Sequence, residues 1–289
     1  MNAPLPPPRR IIDAAVMAAL EEDGAFDDVT TRALVPPDQW GRGAFVAKEA
    51  GVVCGLPVAA AAMTALDAEI AFYPLVADGA RVEAGAELAE VEGPLAAILA
   101  AERVALNFLQ RMSGIATLTD AYARAVAGTR ARILDTRKTT PGLRRLERYA
   151  VRCGGGQNHR SGLSSAVLIK DNHITAARAR GAGGLGAIVA QARAAAPHTM
   201  RVEVEVSSPE DAAEALEGQP DIILLDNMGV DDLRRAVEIV GGHALTEASG
   251  GVTLEDARAV AETGVDYISV GRLTHSAPAL DISLDAGEA

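Results

Sequence analysis

The residues with most chemistry to offer stand where short apolar runs end. ARILD (131–135) leads into Thr136-Arg137-Lys138, and AVLIK (166–170) leads from Lys170 into Asp171-Asn172-His173. RVEVEV (201–206) carries Glu203 and Glu205, and DIILLD (221–226) ends in Asp226-Asn227. HALTEAS (243–249) runs into Ser249-Gly250-Gly251, and DYISVG (266–271) into Gly271-Arg272. A purely structural scaffold needs no polar group at every one of these ends. From Asp135 to His173 there are eight Lys or Arg against three Asp or Glu, a net +5 inside a chain of net charge −12. Such a positive focus suits a small anionic ligand. Arginine pairs with planar carboxylates through parallel hydrogen bonds, whereas lysine is a mobile point charge suited to phosphate. Only Lys48, Lys138 and Lys170 among the 27 basic residues are lysine, and the last two fall at strand ends. Arg144 and Arg145 read as a solvated helix face; Arg137, Lys138, Arg160 and Lys170 do not. Gly154-Gly155-Gly156, followed by His159-Arg160, reads as a flexible loop whose backbone approaches a ligand closely. Ser249-Gly250-Gly251 and Gly271-Arg272 offer backbone amides to a phosphate. Glu205 and Asp226 suit Mg²⁺ or ribose hydroxyls. Glu203 reads equally well as a ligand or as a buried charge partnering an arginine.

The elements that position these residues follow from periodicity. Beyond residue 130, short apolar strands alternate with helical stretches at Leu143–Val151, Ala187–Ala196, Pro209–Leu216, Asp231–Val240 and Leu254–Thr263. That rhythm predicts a parallel sheet closed, or nearly closed, into a (β/α) barrel, whose site lies at the C-terminal ends of the strands. No GxGxxG follows the first strand, so a dinucleotide-binding sheet is poorly supported. Earlier, residues 9–22 read as a helix ended by Gly24, 43–53 and 68–76 as strands, and Ala59–Leu66 as a helix between them. Turn glycines at 79, 85 and 93 predict hairpins. Pro94 opens a long helix to about Val126, with an interruption expected at Ser113-Gly114. The expected organisation is an N-terminal domain over 1–113, a barrel over 114–274, and a tail, 275–289, packing back on the first domain.

Composition narrows the function. A pI near 4.9 disfavours nucleic acid and anionic membranes, and 3% aromatic content leaves little for base stacking. Cys54 and Cys153 form no CxxC pair and read as reduced, buried thiols of a cytoplasmic protein. The N-terminus, MNAPLPPPRR, lacks an apolar signal core.

The longer motifs carry a resemblance. The runs ILDTRKTTPGLRRLERYAVRCGGGQNHRSGL, VLIKDNH, VEVEV, IILLDNM, EASGGV and VGRLTHS, with AERVALNFLQRMSGIAT and EDGAFDDVTT before them, resemble the quinolinate phosphoribosyltransferase family over nearly the whole chain. The resemblance implies an N-terminal α/β sandwich and an incomplete α/β barrel. It implies the Mg²⁺-assisted joining of quinolinate to 5-phosphoribosyl 1-diphosphate with loss of CO₂, a step of NAD biosynthesis. It also implies a homodimer or a trimer of dimers. By position, Arg137, His159, Arg160 and Lys170 would hold the quinolinate carboxylates. Arg103 would complete that pocket in the partner subunit. Lys138 and Lys170 would face the donor, Glu205 and Asp226 would take its ribose hydroxyls and the metal, and these four are the implied catalytic residues. Ser249, Gly250, Gly251 and Gly271 would cradle the 5′-phosphate, with Thr136, Val270 and Arg272 beside the substrates. Ser164-Ser165 stand where the family commonly has aspartate, and Arg272 where it has alanine. Three other readings fit some of the residues: a Schiff-base aldolase using Lys170, a non-catalytic sensor of phosphoribosyl compounds, which the retention of every assigned polar residue argues against, and a transferase for nicotinate, which the number of cations argues against.

Overall fold

The structure, a computed structural model, describes residues 4–288. In chain order its elements begin with α1 (Arg9–Asp23), α2 (Val29–Leu34), β1 (Trp40–Ala47), β2 (Gly51–Val52), α3 (Leu56–Leu66), β3 (Ala71–Pro74), β4 (Arg81–Val82), β5 (Glu87–Pro94) and α4 (Leu95–Ala125). They continue with β6 (Arg132–Leu134), α5 (Arg144–Cys153), β7 (Val167–Ile169), α6 (Asp171–Arg178), α7 (Leu185–Ala195), β8 (Val202–Val206) and α8 (Pro209–Leu216). The last are β9 (Ile222–Asp226), α9 (Val230–Val240), β10 (Leu245–Ser249), α10 (Ala257–Ala261), β11 (Tyr267–Ser269), α11 (Arg272–His275) and β12 (Ile282–Glu288). No helix among the described residues is long and apolar enough to cross a membrane.

The chain forms two compact units. One comprises the residues up to Asp120, Thr139–Gly155 and the segment from Arg272 on; the other comprises Ala121–Lys138 and Gly156–Gly271. The first unit is built on an antiparallel sheet of order β12-β1-β5-β3. The C-terminal strand β12 lies along β1, with Phe45 opposite Leu284 and Ala47 opposite Ile282. Helix α1 buries Ile12, Val16 and Leu20, four residues apart on one face, and ends at Gly24 with φ +69°. The strand expected over 43–53 is two strands, because β1 stops at Ala47 and β2 pairs instead with β4.

The interruption expected at Ser113-Gly114 is absent: α4 runs unbroken from Leu95 to Ala125. Both residues serve packing. A Cβ on Gly114 would stand 1.9 Å from the Pro278 carbonyl oxygen. The fully buried Ser113 hydroxyl accepts from the Cys54 N–H (2.9 Å) and donates to the Cys54 carbonyl (3.2 Å). The first glycine of the triplet has the same explanation. A Cβ on Gly154 would lie 2.2 Å from the Ala116 carbonyl oxygen, so close packing against α4 demands glycine there. Cys54 and Cys153 are buried free thiols, as expected, but they are also neighbours, their Sγ atoms and an Asp78 carboxylate oxygen lying within 4.8 Å of one another. Burial pushes the Cys54 thiol well above its ordinary range. The Asp78 carboxylate is engaged by the scaffold, accepting from the Gly55 and Leu56 amides at the start of α3 and from the Tyr149 hydroxyl.

The second unit holds a six-stranded, all-parallel sheet of order β6-β11-β10-β9-β8-β7. Strands β6 and β7 are not paired with each other, so the barrel is incomplete. Helices α7, α8 and α9 each lie between consecutive parallel strands, the kind of crossover connection that parallel pairing requires. Helix α10 is shorter than the periodicity predicts, Ala257–Ala261 against 254–263; α6, which starts directly after Lys170, has no counterpart in the periodic reading.

Candidate active site

Register puts the site on one face of the parallel sheet. Successive side chains alternate between faces, and partnered residues share one. Glu203 pairs with Ile222 and Glu205 with Leu224, Leu224 with Glu247, and Asp226 with Ser249. Glu203, Glu205, Asp226, Glu247 and Ser249 therefore share a face, while Val202, Val204 and Val206 pack on the other. At the strand ends stand Thr136, Arg137 and Lys138 after β6, Lys170 after β7, Glu205 on β8, Asp226 on β9, Ser249-Gly250-Gly251 at β10 and Val270-Gly271 after β11. His159 and Arg160 lie on the loop between Gln157, which bridges to Leu134 of β6, and β7. The tertiary structure brings all of these together in one unit. Arg103 and Arg272 belong to the other unit, both exposed.

Asp135, fully buried, anchors that loop by accepting from Asn158 Nδ2 (2.7 Å) and from the His159 N–H (2.7 Å). The loop presents Arg160 close enough to Arg137 that burial and the Arg137 charge together pull the Arg160 guanidinium below its ordinary range, with Glu203 opposing. Two guanidiniums held in mutual repulsion are a site prepared for an anion with more than one charge. Lys170 Nζ donates to Glu205 Oε2 at 2.6 Å. That contact engages the amine as a donor and counts against the aldolase reading. The Lys138 N–H is held by Thr136 Oγ1 at 3.1 Å, forming a tight turn after β6.

After the two middle strands, β10 and β9, the backbone is left-handed at Gly250 (φ +99°), Gly251 (φ +64°) and Asn227 (φ +55°). A Cβ on Gly250 would stand 2.2 Å from Asn227 Oδ1 and 2.8 Å from Asn227 N, so glycine is required both by conformation and by space. The helix expected over 254–263 starts only at Ala257, and α11 after Gly271 has four residues. The Ser249 loop therefore meets no helix N-terminus, whereas Gly271 directly precedes the short helix α11, Arg272–His275.

Glu203, left open between ligand and arginine partner, is buried, and its nearest ion-pair partner is His159: Nε2 lies 3.3 Å from Glu203 Oε2 and 3.5 Å from Glu247 Oε1. Glu247 escaped the sequence reading, although alternation along HALTEAS places it on the face of Ser249. Burial, with Glu203 nearby, pushes Glu247 up to about 7 from an ordinary 4.5. A carboxyl whose folded value is raised stabilises the fold below its ordinary value, and that stabilisation is lost as pH rises through the folded value. Glu247→Gln is therefore expected to remove a fall in stability between about pH 4.5 and 7, measured as Tm against pH beside the parent. An unchanged pH profile would show that Glu247 is ionised throughout.

Among metal-capable groups, Glu205 and Asp226 supply hard oxygen donors from adjacent strands on one face. Such a pair fits Mg²⁺, which takes one or two carboxylates and completes its shell with water and substrate phosphates.

Family models of the quinolinate phosphoribosyl transferase C-terminal and N-terminal domains match residues 115–285 and 28–113. The nicotinate-nucleotide pyrophosphorylase [carboxylating] of Mycobacterium leprae is 45% identical over 93% of this chain and 95% of its own length. The probable nicotinate-nucleotide pyrophosphorylase [carboxylating] of Synechocystis sp. is 43% identical over 96% of this chain and 93% of its own. The crystal structure of NadC from Streptococcus pyogenes superposes with a TM-score of 0.93 at 41% identity, covering 99% of both chains.

Proposed function

The chain belongs to the quinolinate phosphoribosyltransferase family, and from that premise we propose how its strand-end residues carry out the family reaction. The reaction is transfer of a phosphoribosyl group from 5-phosphoribosyl 1-diphosphate to quinolinate with decarboxylation, giving nicotinate mononucleotide, diphosphate and CO₂ for NAD synthesis. The observation that carries the assignment of roles is the Arg137–Arg160 pair, two repelling cations, one after β6 and one on the loop that precedes β7. Quinolinate, with two carboxylates, relieves that repulsion more fully than nicotinate with one.

In this reading Arg137, His159, Arg160 and Lys170 hold the dicarboxylate with Thr136 beside it, and Lys138 and Lys170 face the donor diphosphate. Glu205 and Asp226 hold the ribose hydroxyls. The same two carboxylates would hold Mg²⁺, which when bound supplies charge neutralisation for the departing diphosphate. The Ser249-Gly250-Gly251 loop and Val270-Gly271 receive the 5′-phosphate. The pyridine nitrogen carries no proton, so its attack on the ribosyl carbon needs no strong general base. Once the ring is cationic, the bond to the C2 carboxylate can break, because the pyridinium charge stabilises the carbanion left behind. The protein contributes orientation and fixed charge. Arg103 is exposed on α4 with no ion pair or hydrogen bond among the described residues, which supports a role in completing the site of a partner subunit in a dimer or a trimer of dimers. Arg272, also exposed, would lie at the phosphate or point to solvent.

Incubating the protein with quinolinate, 5-phosphoribosyl 1-diphosphate and Mg²⁺ is expected to release one CO₂ per nicotinate mononucleotide formed. Nucleotide formation from nicotinate at a rate matching or exceeding that from quinolinate would reject the dicarboxylate assignment.

A further inference from the structure

Among the described residues other than glycine, only Gln219 and Asn227 have a left-handed backbone, both at φ +55°. Gln219 lies before β9, at the end of the strands away from the site, and Asn227 lies directly after it. Asparagine tolerates this conformation better than most side chains, but glycine adopts it at no steric cost. What the Asn227 side chain touches explains why the position is not glycine. Its Nδ2 donates to Asp226 Oδ2 at 2.7 Å. Its backbone N–H donates to the Ser249 carbonyl at 2.9 Å, one step past the last pair of the ladder, Asp226 with Ser249. Its Oδ1 and Cγ lie over Gly250, where a Cβ would stand 2.2 and 2.6 Å from them. The far end of the same loop is held by the buried Tyr122, whose hydroxyl donates to the Val252 carbonyl at 3.2 Å. Between these two holds, the Gly250 and Gly251 N–H groups donate to nothing among the described residues.

We propose that Asn227 is a positioning residue for the phosphoribosyl donor, setting the distance between the Asp226 carboxylate and the Ser249-Gly250-Gly251 loop. The proposal rests on the reading of Asp226 as a holder of the ribose hydroxyls and of the loop as the holder of the 5′-phosphate. Hydroxyls and phosphate belong to one small sugar, so the two protein anchors must stand a fixed distance apart. Strand pairing sets that distance as far as Asp226 and Ser249, and Asn227 makes the next connection. The left-handed turn lets one residue do both tasks, its N–H directed at β10 and its side chain folded back on Asp226. The Nδ2 contact also orients the carboxylate: with Oδ2 engaged, Oδ1 is the oxygen presented to the donor. Quinolinate lies outside this connection. Its holders follow β6, follow β7 or lie on the chain between them, and neither strand pairs with β9 or β10.

Asn227→Gly removes the side chain and keeps the turn, so a residue needed only for its backbone would be replaced without loss. The variant is instead expected to raise the KM for 5-phosphoribosyl 1-diphosphate about tenfold or more, while the quinolinate Kd, measured by calorimetry without donor, stays within about twofold of the parent. Asn227→Asp, nearly isosteric and equally tolerant of the turn, sets an acceptor against Asp226 Oδ2 in place of a donor, and its donor KM is expected to rise as well. A donor KM for Asn227→Gly within about twofold of the parent overturns the proposal. So does a quinolinate Kd that rises as far as the donor KM, the mark of a general loosening. If Asn227→Gly does not fold, the same comparison on Asn227→Asp decides. Asp226→Ala separates this proposal from the reading beneath it. An unchanged donor KM in that variant overturns the donor-site assignment and this proposal together; a raised one, with Asn227→Gly parent-like, overturns this proposal only.

Discussion

Replacing Arg137 with alanine is expected to lower kcat/KM for quinolinate by about 10²- to 10³-fold. A hydrogen bond to a charged group contributes roughly 1.5–3 kcal/mol, and a guanidinium makes two to one carboxylate. Losing the pair removes about 3–4 kcal/mol, and about 1.4 kcal/mol corresponds to each factor of ten. The loss should fall on the quinolinate KM and kcat together, since the same contact aligns the ring nitrogen with the ribosyl carbon, while the KM for 5-phosphoribosyl 1-diphosphate changes little. Arg137→Lys should recover only part, because an ammonium lacks the planar fork. The measurement is initial rates with each substrate varied at saturation of the other, with thermal unfolding alongside to show that the fold is intact. Parent-like kinetics in Arg137→Ala would remove Arg137 from the site and leave the anion pocket without its central cation.

Glu147→Ala is expected to cost about 3 kcal/mol of stability, and so roughly 6–12 °C in Tm for a unit of this size. Glu147 is 1% exposed and accepts from Arg111 (2.9 Å), from the Thr140 N–H (3.0 Å) and from the Thr140 hydroxyl (2.7 Å). Truncation leaves those donors buried and opposed by nothing. The cost sits at the low end for a broken buried pair because the Arg111 side chain is 29% exposed and keeps its bonds to the Ala277 and Thr274 carbonyls. Glu147→Gln keeps an acceptor for two of the three donors and should lose less than half as much. Thermal or urea denaturation of the three proteins is the check, and a Tm for Glu147→Ala within about 2 °C of the parent would show the pair to be dispensable.

These two residues sit ten positions apart in one run of sequence, yet one is expected to act on catalysis and the other on stability. The difference was only half visible beforehand. The parallel strands were legible because each is a short apolar run flanked by polar turns, and their C-terminal ends were legible as the place where chemistry collects. The interruption placed at Ser113-Gly114 was misread because glycine was taken as a helix breaker. Its purpose is to admit the Pro278 carbonyl, a contact 164 residues away. Gly154, expected in a flexible loop beside a ligand, instead packs against the Ala116 carbonyl of α4. Long-range close packing leaves the same residue type in the sequence as a turn does. Glu247 was overlooked because one acid on a short strand has no meaning until its neighbours across the sheet are known.

The cationic strand ends were therefore determined by the sequence alone. Residue type settles that Arg137, Lys138, Arg160 and Lys170 carry charge suited to carboxylate and phosphate, and periodicity settles that Arg137, Lys138 and Lys170 follow strands while Arg160 follows a glycine loop. What only the tertiary structure decided is how the +5 stretch divides. Arg144, Arg145, Arg148 and Arg152 belong with the N-terminal unit, where Arg144 bonds Thr139 and Arg152 the Leu5 carbonyl, while the other four cations belong to the unit of the parallel sheet. The structure alone also decided that His159 rests on two buried acids from β8 and β10. Net charge along a chain is additive and can be counted from letters. Which charges share a low-dielectric floor depends on strand order and register, and those are set by contacts between residues far apart in sequence.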